Sequence, residues 1–355
     1  MKPEICCFYL ADDITLFHTL YPILKVSKFR KHFYFTDDLD YVLNRAREPV
    51  LLLVRFYKRR EIAQDVLLLK HFRDRFRTVV YFDDTASADE LNTAVFPYVD
   101  IYYKKQLQRD RDVYTRPSYG KRAFTDYYHR TCGLVDDNEE IRPALLPEEL
   151  RKLHLAWNLG IGCYPKSKIR NGLARRLEPL WGMKAMRFLY SSPERYRGSV
   201  KRIPRISARF GTNFDRRTVA FHREIFLKQA ESNSLFLTGR VSLRQFNQEM
   251  RQVRAVLSPF GWGEICFRDF EAILNQSVLI KPDMSHIETW PDVYLPDETY
   301  VSVDWDGKNL LERCNTVMDT TLELERLRSN AYEAYQSQFR LVDHRVQNFL
   351  ERIMA

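Results

Sequence analysis

The chain has 355 residues, long for one domain and comfortable for two of about 150 to 180 residues, each with its own core. A 45% hydrophobic content with 23 Phe and 20 Tyr describes an ordered globular protein, without low-complexity arms or repeats of fixed period. The net charge of +9 predicts attraction to something anionic, be it nucleic acid, a lipid surface or a phosphorylated small molecule.

Strand-like and helix-like segments alternate from the start, and the strands are continuous apolar runs of the kind buried on both faces of a parallel sheet. The first, "EICCFYLA" (4–11), reads as a strand and not as a signal peptide, since an acidic residue stands at position 4 and Asp12 ends a short apolar run. A helix over 13–26 follows, then "KHFYFT" (31–36), a helix through "DLDYVLNRAR", "PVLLLVRFY" (49–57), a helix over 60–75, "RTVVYFDD" (77–84), a helix over 87–97, and "DIYYKK" (100–105). Asp12 or Asp13, Asp37 or Asp38, and Ser87 are the expected N-caps. Five strands with four crossovers make one Rossmann-like domain. No apolar run approaches the roughly 20 residues that cross a bilayer.

Residues 106–200 are less regular. "LPEELRKLHLAWNL" (146–159) has the period of an amphipathic helix, and "GIGCYPKSK" breaks it. A second alternating series comprises "RISARFG" (205–211), a helix over 215–230, "SLFLTGRV" (234–241), a helix capped by Ser242, "AVLSPFG" (255–261), a helix over 264–275, "SVLIKP" (277–282), "YVSVDW" (300–305) and a helix over 308–318. The expected fold class is therefore α/β, with two Rossmann-like domains facing a central cleft. An acceptor domain over 1–165, a connection over 166–200, a donor domain over 201–325 and C-terminal helices over 326–355 that return to the first domain are expected. Ligands of open α/β folds bind at the carboxyl ends of the strands, so the chemistry belongs in the cleft.

The six cysteines form no CxxC pair and have no metal-ligand spacing, which reads as reduced thiols of a cytoplasmic protein. No dinucleotide fingerprint follows the first strand, where "LADDITLF" puts acids instead, and there is no P-loop. Dehydrogenase and P-loop NTPase chemistry both lose weight.

The most informative segment is "SPFGWGEICFRDFEA" (258–272). Gly261 and Gly263 allow close backbone approach at the start of the next helix, where unpaired N–H groups suit a phosphate. Glu264, Arg268 and Glu271 stand four and three residues apart, on one face of that helix, with Ile265, Phe267, Phe270 and Ile273 covering the other. A guanidinium there can pair with diphosphate oxygens, and a carboxylate can accept two ribose hydroxyls.

Extended to "SPFGWGEICFRDFEAILNQSVLIKPDMSHIETWPDVY", this segment resembles the donor-binding segment of GT-B glycosyltransferases, especially bacterial enzymes of surface polysaccharide and lipopolysaccharide assembly. Ser258-Pro259, Gly261, Gly263, Arg268, Glu271-Ala272 and "VLIKP" match the pattern, over about 255–310. The resemblance implies that Glu271 holds the nucleotide ribose and that Arg268 lies near the diphosphate or the donor sugar. It departs from the retaining members in having six residues between Glu264 and Glu271, and Asn275-Gln276 in place of the turn glycine. Similar enzymes also place a cation at the end of the donor domain's first strand, here Arg209. Arg240 ends the second strand, and the two together could neutralise a leaving diphosphate without a metal.

Glycosyl transfer with inversion needs a base for the acceptor hydroxyl. Asp84 is the first candidate and Asp83 the second, both ending the first domain's fourth strand, with Asp12 and Asp13 in reserve. His286 is a candidate hydrogen-bond donor in the cleft. Between 104 and 130 eight Lys or Arg face three Asp, with tyrosines interleaved. Lys104, Lys105, Arg116, Lys121 and Arg122 are the candidates for gripping a phosphorylated or lipid-linked glycan, or for seating the protein on anionic lipid at the inner face of a membrane.

The sequence thus predicts a glycosyltransferase with a nucleotide-sugar donor and a surface-glycan acceptor, with no cofactor, no metal and no nucleic-acid partner. A basic nucleic-acid-binding protein and a sugar-nucleotide epimerase or phosphorylase on the same fold are the alternatives.

Overall fold

The computed structural model describes residues 2–58, 62–162 and 201–355, so the expected connection over 166–200 lies outside the described residues. Fifteen strands are described. In chain order they are β1 Ile5–Tyr9, β2 Phe33–Thr36, β3 Val50–Val54, β4 Thr78–Asp83, β5 Ile101–Lys104, β6 Gln106–Gln108, β7 Ser118–Tyr119, β8 Ile141–Arg142, β9 Leu153–Leu155, β10 Ile203–Ser207, β11 Phe236–Leu237, β12 Val253–Leu257, β13 Val278–Pro282, β14 Ile287–Thr289 and β15 Val301–Val303.

Two parallel sheets dominate. The first has the order β2-β1-β3-β4-β5-β9 and the second the order β11-β10-β12-β13-β15. Continuous apolar runs suit these strands because both faces are covered. Alternate residues serve alternate layers: Cys7, Leu52 and Phe82 pack on one side of the first sheet, while Cys6, Leu51 and Tyr81 pack on the other. In the second sheet Val256 and Leu279 face one layer, and Leu257 and Ile280 the other. The fold is α/β with two Rossmann-like domains. Strand order reverses between β1 and β3 and between β10 and β12, and the carboxyl ends at these points open onto the cleft.

The domains are joined by more than the chain. Strand β6 pairs antiparallel with β14, making a two-stranded ribbon with one strand from each side. Asn158 Nδ2 donates to Thr289 Oγ1 at 2.7 Å and to the Pro291 carbonyl at 2.9 Å, and the Tyr335 hydroxyl donates to the Gly160 carbonyl at 2.8 Å. The helix Thr321–Arg340 lays Leu324, Leu327, Ala331 and Tyr335 on the second domain. The last helix, Val342–Met354, buries Val346, Phe349, Leu350 and Ile353 in the core of the first. The C-terminal helices therefore cross back, as the sequence predicts.

Three elements differ from expectation. Residues 146–159 are not one α-helix: a 3₁₀ helix over Pro147–Lys152 leads into β9, which pairs with β5 through Tyr102 and Leu153. The open edge of the sheet offers a hydrogen-bonded partner that outranks local amphipathicity. The helix expected over 87–97 is a shorter 3₁₀ helix over Thr93–Tyr98, and Asn92, not Ser87, precedes it. The helix expected over 264–275 begins at Phe267, because the Asp269 side chain accepts from the Cys266 N–H at 3.0 Å and sets the first turn there.

Candidate functional site

A cleft of about 680 Å³ lies between the domains at the carboxyl ends of both sheets. Its second-domain wall is Gly261–Gly263 and Ile265–Arg268 with Glu271, Phe214 and Arg223. Asp269 holds that segment in place. It has no exposure and accepts from Ser258 Oγ at 2.6 Å and from the Tyr294 hydroxyl at 2.9 Å, while Lys281 Nζ lies 3.0 Å away, equally buried. One carboxylate thus ties the end of β12, the first turn of the helix Phe267–Leu274 and strand β13 together.

The two glycines serve different contacts. A Cβ at Gly263 would overlap the carbonyl of Ala86 in the first domain, so only glycine lets the two loops pass. A Cβ at Gly261 would lie 2.8 Å from the Arg223 guanidinium. Arg223 donates to the carbonyls of Phe260 at 2.7 Å and Gly211 at 2.9 Å, and lies 4.9 Å over the Phe214 ring. Arg268 donates to the carbonyl of Arg209 at 3.0 Å. Among the described residues neither guanidinium has a carboxylate within ion-pair distance. Burial lowers the pKa of Arg223 and raises that of Glu271, the latter against the pull of Arg268.

The first-domain wall carries Arg55, Tyr57, Asp84, Thr85, Glu90, Lys105 and Arg122. Arg55 follows β3 with a left-handed backbone (φ 55°) and 5% exposure. Such a conformation in a bulky residue is strained, and here two carboxylates hold it: Asp12 lies 2.6 Å from Nε and Asp84 lies 3.0 Å from Nη1. Asp84 also accepts from the Tyr57 hydroxyl at 3.1 Å and from Thr19 Oγ1 at 2.8 Å. Lys105 has no ion pair among the described residues, and burial lowers its pKa to about 8 despite Asp84 nearby. Arg122 bridges the walls, donating to the carbonyls of Trp262 at 2.6 Å and Gly120 at 2.8 Å.

Of the residues singled out in the sequence, Asp84, Lys105, Arg122, Gly261, Gly263, Arg268 and Glu271 line the cleft. The others do not. Asp83 points to the opposite face of β4, where it accepts from the Tyr102 hydroxyl and sits 3.3 Å from Lys104 Nζ; both charges are fully buried, which removes Lys104 from any acceptor contact. Glu264 is also fully buried and accepts from Ser87 Oγ at 2.7 Å and Ala88 N at 3.0 Å, so it joins the domains and leaves the Arg268–Glu271 face. Arg209 is clamped on Glu249 at 2.8 Å and on the Thr238 carbonyl. Arg240 and Arg116 are exposed away from the cleft, and Lys121 pairs with Glu140 at 3.1 Å. His286 packs its ring 4.9 Å from that of Trp305, outside the cleft. Phe267, expected on the packed face, is 40% exposed and lines the cleft.

The basic segment 104–130 forms no common surface. Lys104, Arg111, Lys121, Arg122 and Arg130 each face a different carboxylate, on Asp83, Glu288, Glu140, Glu90 and Asp126 respectively. Sequence reasoning missed Arg55, Tyr57, Arg223 and the rings of Phe214 and Phe246, while Trp262 lines the cleft between the two glycines. A cation directly after the apolar run "PVLLLV" was a readable signal for Arg55; Arg223, within a helix, offered none. Among the described residues no group of three or more His, Cys, Asp or Glu could hold a metal ion, and no helix is long and apolar enough to cross a membrane.

No family model matches the chain, and no curated protein matches it. Solved structures similar to it include HepE of Anabaena in complex with UDP-glucose, at 9% identity over 98% of this chain and 99% of that one, with a TM-score of 0.48. They also include the β-glucosyltransferase of phage T4, at 10% identity over 98% and 99% with a TM-score of 0.45, and a glycosyltransferase of Rickettsia africae, at 6% identity over 99% and 98% with a TM-score of 0.48. These are glycosyltransferases, the class that residues 258–294 resemble; at such identities and scores they carry no argument about this chain's substrate or activity.

Proposed function

We propose that the protein is a glycosyltransferase that moves a sugar from a nucleotide-sugar donor to a hydroxyl of a growing surface glycan. The observation that carries the reading is the second-domain wall, where Arg223 and Arg268 face the cleft with no carboxylate partner among the described residues and Glu271 stands beside them. Two guanidiniums without counter-ions in a half-buried site suit a diphosphate, and an adjacent carboxylate suits a ribose diol.

In this reading Glu271 accepts the ribose hydroxyls and the guanidiniums of Arg223 and Arg268 hold the diphosphate. Lys105 adds charge from the opposite wall. As the bond between the anomeric carbon and the diphosphate oxygen lengthens, negative charge grows where these cations already sit, so no reorganisation is needed at that moment. This charge neutralisation takes the place of a metal in the proposal. The exposed ring of Trp262, 5.2 Å from that of Phe214, offers the nucleobase an aromatic surface. The acceptor type rests on the resemblance of the donor segment alone, a place in the cytoplasm on the cysteine pattern, and a seat at the inner face of the membrane on the basic residues between 104 and 130.

The test is a thermal-shift comparison of UDP-, GDP-, CMP- and dTDP-sugars with the wild type and with Glu271→Ala. A nucleotide sugar at about 100 times its Kd adds about 2.7 kcal/mol of stability, a readable rise in Tm. One of them should stabilise the wild type and lose that effect in the variant. If none stabilises the wild type, or the variant responds equally, the assignment of this site is wrong.

A further inference from the structure

A second cavity, of about 250 Å³, lies where the last helix packs on the first sheet, and it shares no lining residue with the cleft. One stripe of the helix Val342–Met354 lines it: Arg345, Asn348 and Arg352 stand three and four residues apart, on one face. Tyr103 of β5 and Glu288 of β14 also line it. We infer that this cavity binds a phosphate dianion, free or carried on a small sugar, held by the guanidiniums of Arg345 and Arg352 and the amide of Asn348. The site stands apart from the nucleotide-sugar reading of the cleft.

The two cations lack a counter-charge. Among the described residues neither guanidinium has a carboxylate within ion-pair distance, and the partners they do have are neutral. Arg345 Nε donates to the Ala156 carbonyl at 3.2 Å and Nη2 to that of Leu155 at 2.5 Å, with the guanidinium 5.4 Å from the centre of the Trp290 ring. These contacts use two of its nitrogens and leave Nη1. Arg352 Nη1 lies 2.8 Å from His154 Nδ1; burial, and then the Arg352 charge, lower the pKa of that histidine to about 4, so at pH 7 it accepts as a neutral ring. Glu288, the carboxylate in the lining, is engaged by Arg111. Arg345 also stands in the N-terminal part of its helix, where the dipole disfavours a cation, so helix electrostatics does not account for it.

Chemistry selects the occupant. The free polar groups are donors: guanidinium N–H groups, the Asn348 amide and the Tyr103 phenol, which burial keeps protonated. Guanidiniums match phosphate oxygens in geometry, and a phosphate monoester carries about −1.5 to −2 at pH 7, which balances two of them. A carboxylate would leave one charge unmet.

The experiment is calorimetric titration of the full chain with inorganic phosphate and with glucose 6-phosphate, at constant ionic strength set with chloride. Arg352 is exposed, and Arg352→Gln should fold yet bind phosphate about tenfold more weakly, or worse. Asn348, also exposed, allows a second variant: Asn348→Glu places a carboxylate three residues after Arg345 and four before Arg352, the charge the ligand would bring. It should keep or raise the Tm measured without phosphate and lose the binding. Arg268→Gln, in the cleft, should keep it. Tighter binding of glucose 6-phosphate than of phosphate assigns a sugar phosphate and equal binding a free one; either result keeps the site. A wild type that binds neither probe, or an Arg352→Gln and an Asn348→Glu that both bind as the wild type does, overturns it. Binding that Arg268→Gln removes and Arg352→Gln keeps places the phosphate in the cleft and overturns it as well. Acetate that binds as tightly as phosphate overturns the dianion.

Discussion

Glu264 of the second domain accepts a hydrogen bond from Ser87 Oγ of the first at 2.7 Å and another from the neighbouring Ala88 N–H at 3.0 Å, with none of its own surface exposed. The contact lies three residues before the cleft-lining helix begins at Phe267 and directly beside Gly263, whose missing Cβ lets the loops touch. One short segment therefore both closes the domain interface and starts the second-domain wall of the cleft.

Removing that acceptor leaves two buried donors without a partner. Glu264→Ala should lower the stability to urea unfolding by about 3 kcal/mol, the range for hydrogen bonds to a buried charge. Gly263→Ala, which pushes a methyl group into the Ala86 carbonyl, should cost about 1–3 kcal/mol. A change below about 1 kcal/mol in both variants would mean that the two loops do not bear on one another in solution.

Asp269 and Lys281 form a fully buried pair at 3.0 Å. Asp269→Asn strands the lysine charge and should cost about 3–5 kcal/mol. Because the same carboxylate sets the start of the helix Phe267–Leu274, the variant should also lose its response to nucleotide sugars. Adding Lys281→Met should return part of the stability, with urea titrations of the single and double variants giving the coupling; a double variant no more stable than Asp269→Asn speaks against the pair.

Acid should destabilise the protein earlier than carboxylate titration predicts. Burial lowers the pKa of His18 to about 4, and it lowers His222 well below the usual value. Below about pH 6.5 the unfolded chain binds protons that the folded protein refuses, so stability falls as the pH drops from 6.5 towards 4. For His18 alone the loss reaches about 3 kcal/mol. Urea midpoints at pH 7 and pH 5 measure it. His18→Asn, although weaker at pH 7, should show a shallower slope, and an equal slope would refute the assignment.

Lys105 separates binding from folding. Its pKa, near 8 in the folded protein, lies below that of the unfolded chain, so raising the pH from 8 towards 10.5 adds stability from this group. The same rise removes a cation from the cleft, and affinity for a nucleoside diphosphate should fall above about pH 8. Calorimetric titration at pH 7 and pH 9 should show a loss of up to about tenfold. Lys105→Met should bind more weakly at pH 7 and lose most of that pH dependence; a wild type whose Kd is flat over this interval shows that Lys105 does not meet the anion.

Much of the site was legible because its chemistry is local. Gly261, Gly263, Arg268 and Glu271 all fall within eleven residues of one strand-to-helix junction. Glu264 was misread by a single boundary: four residues before Arg268 it shares a helix face only if the helix reaches it, and the Asp269 side chain starts the helix at Phe267. Asp83 and Asp84 were adjacent and equivalent on paper, yet strand alternation sends one into a buried pair with Lys104 and the other to the cleft. Arg209 follows the end of β10 by two residues, but Glu249, 40 residues on, takes its guanidinium.

By itself the sequence determined the two parallel sheets, since long apolar runs separated by crossovers bury both faces and allow little else. It also determined which segment of the second domain lines the cleft, because glycines, a guanidinium and a carboxylate at short spacing need no distant partner to be placed. Only the tertiary structure decided which charges are available to a ligand. A buried charge takes whatever counter-charge or hydrogen-bond donor lies nearest in space, and those partners, Asp12 and Asp84 for Arg55, Ser87 for Glu264 and Glu249 for Arg209, come from elements that chain order does not bring together.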